Sequence, residues 1–420
     1  MIRRAVALLT TFLVAACGGL ADSAGPPAAD TGGTGPITFA IGRDTTAYLG
    51  PLIDRWNRSH PAERVTLLEL PEASDEQRAQ MVANLQAHSD VYDVLGLDVV
   101  WTAEFADAGW IAPLDRSLFP LDKVFPGVAA TAIYRDRLWA VPYVTNAGLL
   151  YYRSDLLAKE HLKPPRTWAE LRDDAMRLGA KYRIGGYAGQ FLPYEGLTVN
   201  FAEAVQSAGG SILSPDARRV TMDLGPARRA LDFLVGGVRE GWIPREALSY
   251  KEEESRLAFQ EGRLLFARNW PPAYGPAAHS RLAGKFAVTR LPGPDGPGSS
   301  SLGGVNLAVS AFSKRQKTAL DFIRYFTGPE IQRLVLTEGS FPPVWAELYD
   351  DPALIKRFPY LPVLKETILS ARPRPVTPDY NQVSLVISSA VSGALDLGRP
   401  TDETVAELRQ QLGEVIQSGG

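Results

Sequence analysis

The chain has 420 residues, 45% hydrophobic and 22% charged, which suits a globular protein but exceeds one compact core, so two domains of roughly 150 to 200 residues each are expected. A formal net charge of −3, with no long basic run, argues against a nucleic-acid partner, which would need a basic footprint. A single cysteine rules out an internal disulfide.

At the start, Arg3 and Arg4 precede an apolar run from Ala5 to Ala16 that falls short of the about 20 residues needed to span a bilayer. Val14-Ala15-Ala16-Cys17 then reads as a lipobox, with an ordinary secretion signal and a chance cysteine as the alternative. Residues 1–17 are accordingly expected to be a lipoprotein signal peptide. The Cys17 thiol would carry diacylglycerol and palmitate-like chains that anchor an extracytoplasmic body to the cell membrane. Residues 18–35, nearly all Gly, Ala, Ser, Thr, Pro and Asp, lack apolar content and read as a flexible tether.

Ordered structure is expected from the β-rich Ile37 to Ile41 onward. Leu52, Ile53 and Trp56 have helical spacing before Pro61, and Val65 to Leu68 supplies a second strand, which completes one β-α-β unit. Ser74 with Gln77 has the pattern of a capping box opening a helix through Met81, Val82 and Leu85, and Val91 to Val100 is a further apolar strand. This alternation predicts an α/β domain with a mainly parallel sheet, whose ligands bind beyond the carboxyl ends of its strands. A second block opens near Asn146, with a strand at Leu149 to Tyr152 and a capping box at Thr167 and Glu170. Pro292 to Ser301 is a loop, while Ala319, Phe322, Ile323 and Phe326 recur as on a core-facing helix that stops at Gly328-Pro329. Val405, Leu408, Leu412, Val415 and Ile416 form the apolar stripe of a last helix, expected to dock on the body.

Catalytic signatures are mostly absent from the sequence. His60, His88, His161 and His279 are scattered, and no HExxH, GxSxG or GxxxxGK run occurs to seat a metal, a nucleophile or a phosphate. What remains is carboxylates, amides and indoles at element ends, the mixture a carbohydrate site uses: planar polar groups for hydroxyls and flat rings for the apolar face of a pyranose. Asp98 ends an otherwise apolar strand, so it either caps the helix that follows or is aimed into a cleft. Trp101, Phe105 and Trp110 are spaced as core anchors of that helix. Asn146 lies where the chain passes between domains, as a cleft amide or a turn amide. The acids Glu252, Glu253 and Glu254 fit a first helical turn, favoured there by the helix dipole, with one of them facing a ligand at most. Trp270, held before Pro271-Pro272, could serve as a sugar platform, and Arg374 sits in a proline-braced loop that would either hold hydroxyls or stay solvated.

These segments, together with YVTNAGLLYYRSDLL, PPRTWAEL, SRLAFQEGRLLFARNWP, SLGGVNLAVS and ALDFIRYFTGPEIQ in that order, give the chain a resemblance over nearly its whole length to the extracellular solute-binding proteins of ABC sugar importers, the maltose-binding-protein-like class. The block LDVVWTAEFADAGW, with EQR upstream and RPVTPDY downstream, looks more narrowly like the actinobacterial trehalose-binding lipoproteins and archaeal trehalose/maltose-binding proteins. The resemblance implies two α/β lobes joined by hinge strands around an interlobe cleft, a periplasmic-binding-protein-like fold. Lobe 1 would span 36–143 and 268–312, and lobe 2 would span 144–267 and 313–420. Carried over by motif, the sugar contacts would be Asp98, Asn146, Glu252 (with Glu253 as the alternative), Trp270, Gly304 of the Gly303-Gly304 pair, and Arg374, with Asp44 and Arg78 as further carry-overs. The Ser-Phe-Pro-Pro stretch at 340–343 departs from the glycine-rich turn such proteins lead one to expect.

The implied function is capture of an α-linked glucose disaccharide, trehalose first and maltose or maltodextrin as the alternative, by a monomer that delivers it to the transmembrane permease subunits. No catalytic residue, metal or cofactor is expected. A secreted glycoside hydrolase using two carboxylates is the competing reading from a different class, since it would draw on the same residue types.

Overall fold

A computed structural model describes residues 32–44 and 46–418; Cys17, the lipobox and most of the expected tether lie outside the described residues. Two sheets organise the molecule. The first has the order Val65–Leu70, Ile37–Gly42, Val94–Asp98, Leu302–Val309, Val141–Ala147. Its first three strands run parallel, as the β-α-β reading predicts, whereas Leu302–Val309 is antiparallel to both of its neighbours. The sheet is therefore mixed, because its last two strands arrive from or leave for the other lobe. The second sheet has the order Ala287–Thr289, Leu149–Tyr152, Leu264–Asn269, Gly185–Ala188.

Each sheet has its own core. Phe322 and Phe326, on the helix Gln316–Phe326, meet Phe39 of the first sheet at ring separations of 5.6 and 5.8 Å, and Ile331 and Val335 of the helix Pro329–Gly339 join the same cluster. The second core gathers the long helices Trp168–Tyr182, Glu195–Ser207, Leu224–Glu240 and Tyr380–Leu397. The expected lobe boundaries need correction on both counts. The strand Leu264–Asn269 runs unbroken through residue 268, and Ala287–Thr289 pairs with Leu149–Tyr152, so the stretch from 268 to the loop before Leu302 lies with the second sheet. The helices between 316 and 339, assigned by sequence to lobe 2, pack on the first sheet because that is where their apolar stripe finds aromatic partners.

The chain crosses between the lobes at three places. Val141–Ala147 passes through Gly148 into Leu149–Tyr152, and Ser301 leads into Leu302–Val309. The third crossing uses the stretch 340–343, where Thr145 N–H donates to Pro342 O at 3.1 Å and Pro343 bridges to Val144. The two prolines hold this crossing extended where glycine was expected.

Of the two capping boxes expected from sequence, one is present and one is not. The capping box at Thr167 and Glu170 is present. Ser74 is not a cap: the helix Ser74–Gln86 starts one residue after Ala73, and Gln77 donates to Glu72 O instead. Residues 32–35, expected to be tether, already lie against the body, with Lys317 N–H donating to Gly32 O at 3.1 Å and Gly35 N–H donating to Thr318 Oγ1 at 3.2 Å.

Candidate functional site

Asp98 sits at the carboxyl end of Val94–Asp98 and pairs in register with Val305, while Asn146 pairs with Gly303 on the other side of the same strand. The strand Leu302–Val309 thus brings two sequence-predicted residues to adjacent positions at the mouth of the first sheet. Gly304 stands between them with φ +139°, and a Cβ there would lie 2.3 Å from Val144 O, so only glycine allows this close approach. Trp270 comes from the second lobe. A Cβ on Gly303 would lie 3.2 Å from the edge of its indole and 3.5 Å from the Asn146 Cβ, which places indole, amide and glycine pair together. The Pro271 that follows and the Tyr151 hydroxyl, donating to Trp270 O at 2.8 Å, fix the backbone at the indole.

Arg374 is 3% exposed rather than solvated, and its guanidinium joins the lobes. Nη2 donates to Asp98 Oδ1 at 3.0 Å, and Nη1 donates to Glu195 Oε1 at the start of the helix Glu195–Ser207. Glu195 also accepts from the Tyr380 hydroxyl at 2.7 Å and from the Ser384 hydroxyl. Burial raises the Glu195 carboxyl, an effect that Arg374 offsets only in part. Burial acts against the charge on Arg374, but Asp98, Tyr380 and Glu195 outweigh it and hold the guanidinium protonated. Burial, reinforced by Glu195, pushes the Tyr380 phenol well above its usual value. Asn146 Oδ1 and Arg374 Nε are buried without a hydrogen-bond partner among the described residues.

The acid run resolves into separate tasks. Glu253 is bound by Arg256 in an ion pair, Glu254 accepts from the Lys251 N–H at 3.0 Å, and Glu252 accepts from the Tyr194 hydroxyl. Its backbone O also accepts from Asn269 Nδ2 at 3.1 Å, which ties Glu252 to the residue before the indole. Burial, with Glu252 adding to it, pushes the Tyr194 phenol well up, so that hydroxyl stays a donor.

The remaining carry-overs make other contacts. Asp44 accepts from Thr46 N–H at 3.0 Å and from Leu49 N–H at 2.7 Å, which ties off the entry to the helix Leu49–Ser59. Arg78 closes its fork on Glu104, with Nε donating to Oε2 at 2.7 Å. Trp101 and Phe105 are buried in the first core, as their spacing predicts. Sequence reasoning missed Glu195, and it missed Arg268 and Glu203, which form a buried ion pair with Nε to Oε2 at 2.8 Å and Nη2 to Oε1 at 2.7 Å. The signal was there: each is a lone charge at the start of or within an otherwise apolar element, PYEGLTV, NFAEAV and LLFARNW. Among the described residues, no three His, Cys, Asp or Glu side chains group as a metal site would require.

Comparison with known proteins agrees with the two-lobed fold. The model of the family described as bacterial extracellular solute-binding protein matches residues 42–333. A probable ABC transporter-binding protein of Deinococcus radiodurans is 35% identical over 381 residues, covering 87% of this chain and 90% of its own. The mannitol-binding protein of Pseudomonas aeruginosa is 23% identical over 396 residues, covering 87% and 89%. Among solved structures, the maltose-bound T. maritima MalE3 superposes with a TM-score of 0.86 at 32% identity, covering 90% of this chain and 98% of its own.

Proposed function

This chain belongs to the bacterial extracellular solute-binding proteins, and from that premise we propose that it captures a neutral α-linked glucose disaccharide, trehalose before maltose, and hands it to the permease of an ABC importer. The observation that carries the reading is the meeting of Asp98, Asn146 and Gly304 from one lobe with Trp270, Glu252 and Arg374 from the other, where Asn146 Oδ1 and Arg374 Nε lack a hydrogen-bond partner among the described residues. Asp98 and Glu195 together more than offset the single positive charge of Arg374, which favours an uncharged ligand over an anion. The preference for trehalose rests on the LDVVWTAEFADAGW and RPVTPDY segments, which contain Asp98 and Arg374. Cys17, through its lipid, would keep the protein at the outer membrane face near that permease.

Maltose is the second reading, favoured by the 32% identity to the maltose-bound T. maritima protein. Binding alone is the task. Asp98 is committed to Arg374 and Glu252 to Tyr194, a poor starting point for a pair of hydrolytic carboxylates. Calorimetric titration with trehalose, maltose, maltotriose, sucrose and mannitol tests the reading. Trehalose should bind most tightly and no glucose should be released from it. Tighter binding of maltotriose or mannitol would overturn the trehalose assignment, and release of glucose would overturn the binding-only reading.

A further inference from the structure

The Trp270 indole does not stand free. The Arg268 guanidinium carbon lies 3.8 Å from the centroid of its ring, so one face of the indole is covered from within while the side chain stays partly exposed. Arg268 is 1% exposed, and every arm of its fork is held: Nε and Nη2 by Glu203, and Nη1 by Gln190 Oε1 at 3.0 Å. Gln190 is fixed in turn, donating to Ser255 Oγ at 2.8 Å and to Arg268 O at 3.1 Å. Glu203 reaches two of the lobe crossings. Its Oε1 accepts from Ser300 Oγ at 3.0 Å and Ser301 N–H at 3.2 Å, and a Cβ on Gly148 would lie 2.5 Å from the same oxygen.

We propose that Arg268, locked by Glu203 and Gln190, is a positioning residue for sugar capture: it backs the inner face of Trp270 and fixes the plane in which the outer face meets a pyranose ring. The inference rests on the reading of Trp270 as the sugar platform. A buried ion pair is a poor source of stability, since hydrophobic residues of similar volume commonly serve as well, but it is a good source of geometry when every donor is engaged. The flat guanidinium stacks on an aromatic face in a way a lysine ammonium does not. Arg268 is therefore needed for its plane, and Glu203 sets that plane relative to the hinge.

The test compares Arg268→Lys, which leaves Glu203 paired, with the double replacement Arg268→Met/Glu203→Leu, which removes both charges together. Two readouts are taken on the full mature protein. The first needs no sugar: the near-ultraviolet circular dichroism of Trp270, obtained as wild type minus Trp270→Phe and, for each variant, as the variant minus the same variant carrying Trp270→Phe. The second is calorimetric affinity for trehalose and for maltose. Both variants should fold cooperatively, lose most of the Trp270 band and weaken sugar binding about ten-fold. Retention of the band and of wild-type affinity in either folded variant would overturn the proposal, because a purely structural role is rescued by lysine or by the paired replacement. Should wild type bind neither sugar, the functional reading fails by itself, and the ligand-free band still decides whether Arg268 orients the indole.

Discussion

Asp98, Asn146, Trp270 and Arg374 stand out in the sequence as single residues because each breaks the pattern of its element, an acid after an apolar strand, an amide between blocks, an indole before two prolines and an arginine between prolines, whereas Gly304 entered through the family resemblance alone. Glu195, Arg268 and Glu203 do not, because a lone charge in an apolar stretch does not say which partner neutralises it, and the partners lie up to 179 residues away. Gly304→Ala would force a Cβ onto Val144 O at a φ that side chains rarely adopt, so it should cost about 1 to 3 kcal/mol in thermal unfolding and also weaken sugar binding. Glu195 makes a pH prediction. Its folded-state pKa is raised, so above the unfolded value of about 4.3 the folded state holds the proton longer, and stability should fall as pH climbs from there through the folded value. Melting temperatures of wild type and Glu195→Gln across that window should diverge, with the variant showing the flatter profile; parallel profiles would show that Glu195 does not titrate in this way.

Elements with strong periodicity were read correctly, and those whose partner lies in the other lobe were not. The strand at Leu149–Tyr152 and the helix after Thr401 follow from pattern alone. The destination of Gln316–Phe326 does not, since an apolar stripe specifies burial but not which of two cores receives it. The last helix, Thr401–Ser418, buries Val405, Leu408 and Leu412 in the second core together with Tyr380–Leu397, far along the chain from the Asp98 strand. Leu408→Ala should therefore cost about 2 to 5 kcal/mol in denaturant unfolding while leaving the sugar affinity of the folded fraction unchanged. A variant of normal stability would mean that this helix does not dock as described.

At the scale of the whole molecule, the contacts between lobes are of two kinds, and they respond differently to solvent. Lys251 meets Glu76 across the lobes at 3.3 Å with both side chains partly exposed, and a pair of that kind contributes at most about 1 kcal/mol and is screened by salt. Asp98, Arg374 and Glu195 form the other bridge, with Arg374 and Glu195 buried and Asp98 mostly so, and salt reaches it far less. A ligand can close the lobes only through contacts it makes better in the closed form than in the open one, and on the proposed reading the bridge residues would make them. Small-angle scattering should then show a smaller radius of gyration with saturating trehalose than without, and the difference should survive 1 M salt, where the Debye length is about 3 Å. Asp98→Ala removes the first-lobe end of the bridge and leaves Arg374 its partner Glu195, so the fold should persist while the ligand-free form becomes more extended and trehalose no longer compacts it. Compaction of Asp98→Ala equal to that of wild type would remove Asp98 from the closing mechanism, and the absence of compaction in wild type with any sugar that binds would refute capture by lobe closure.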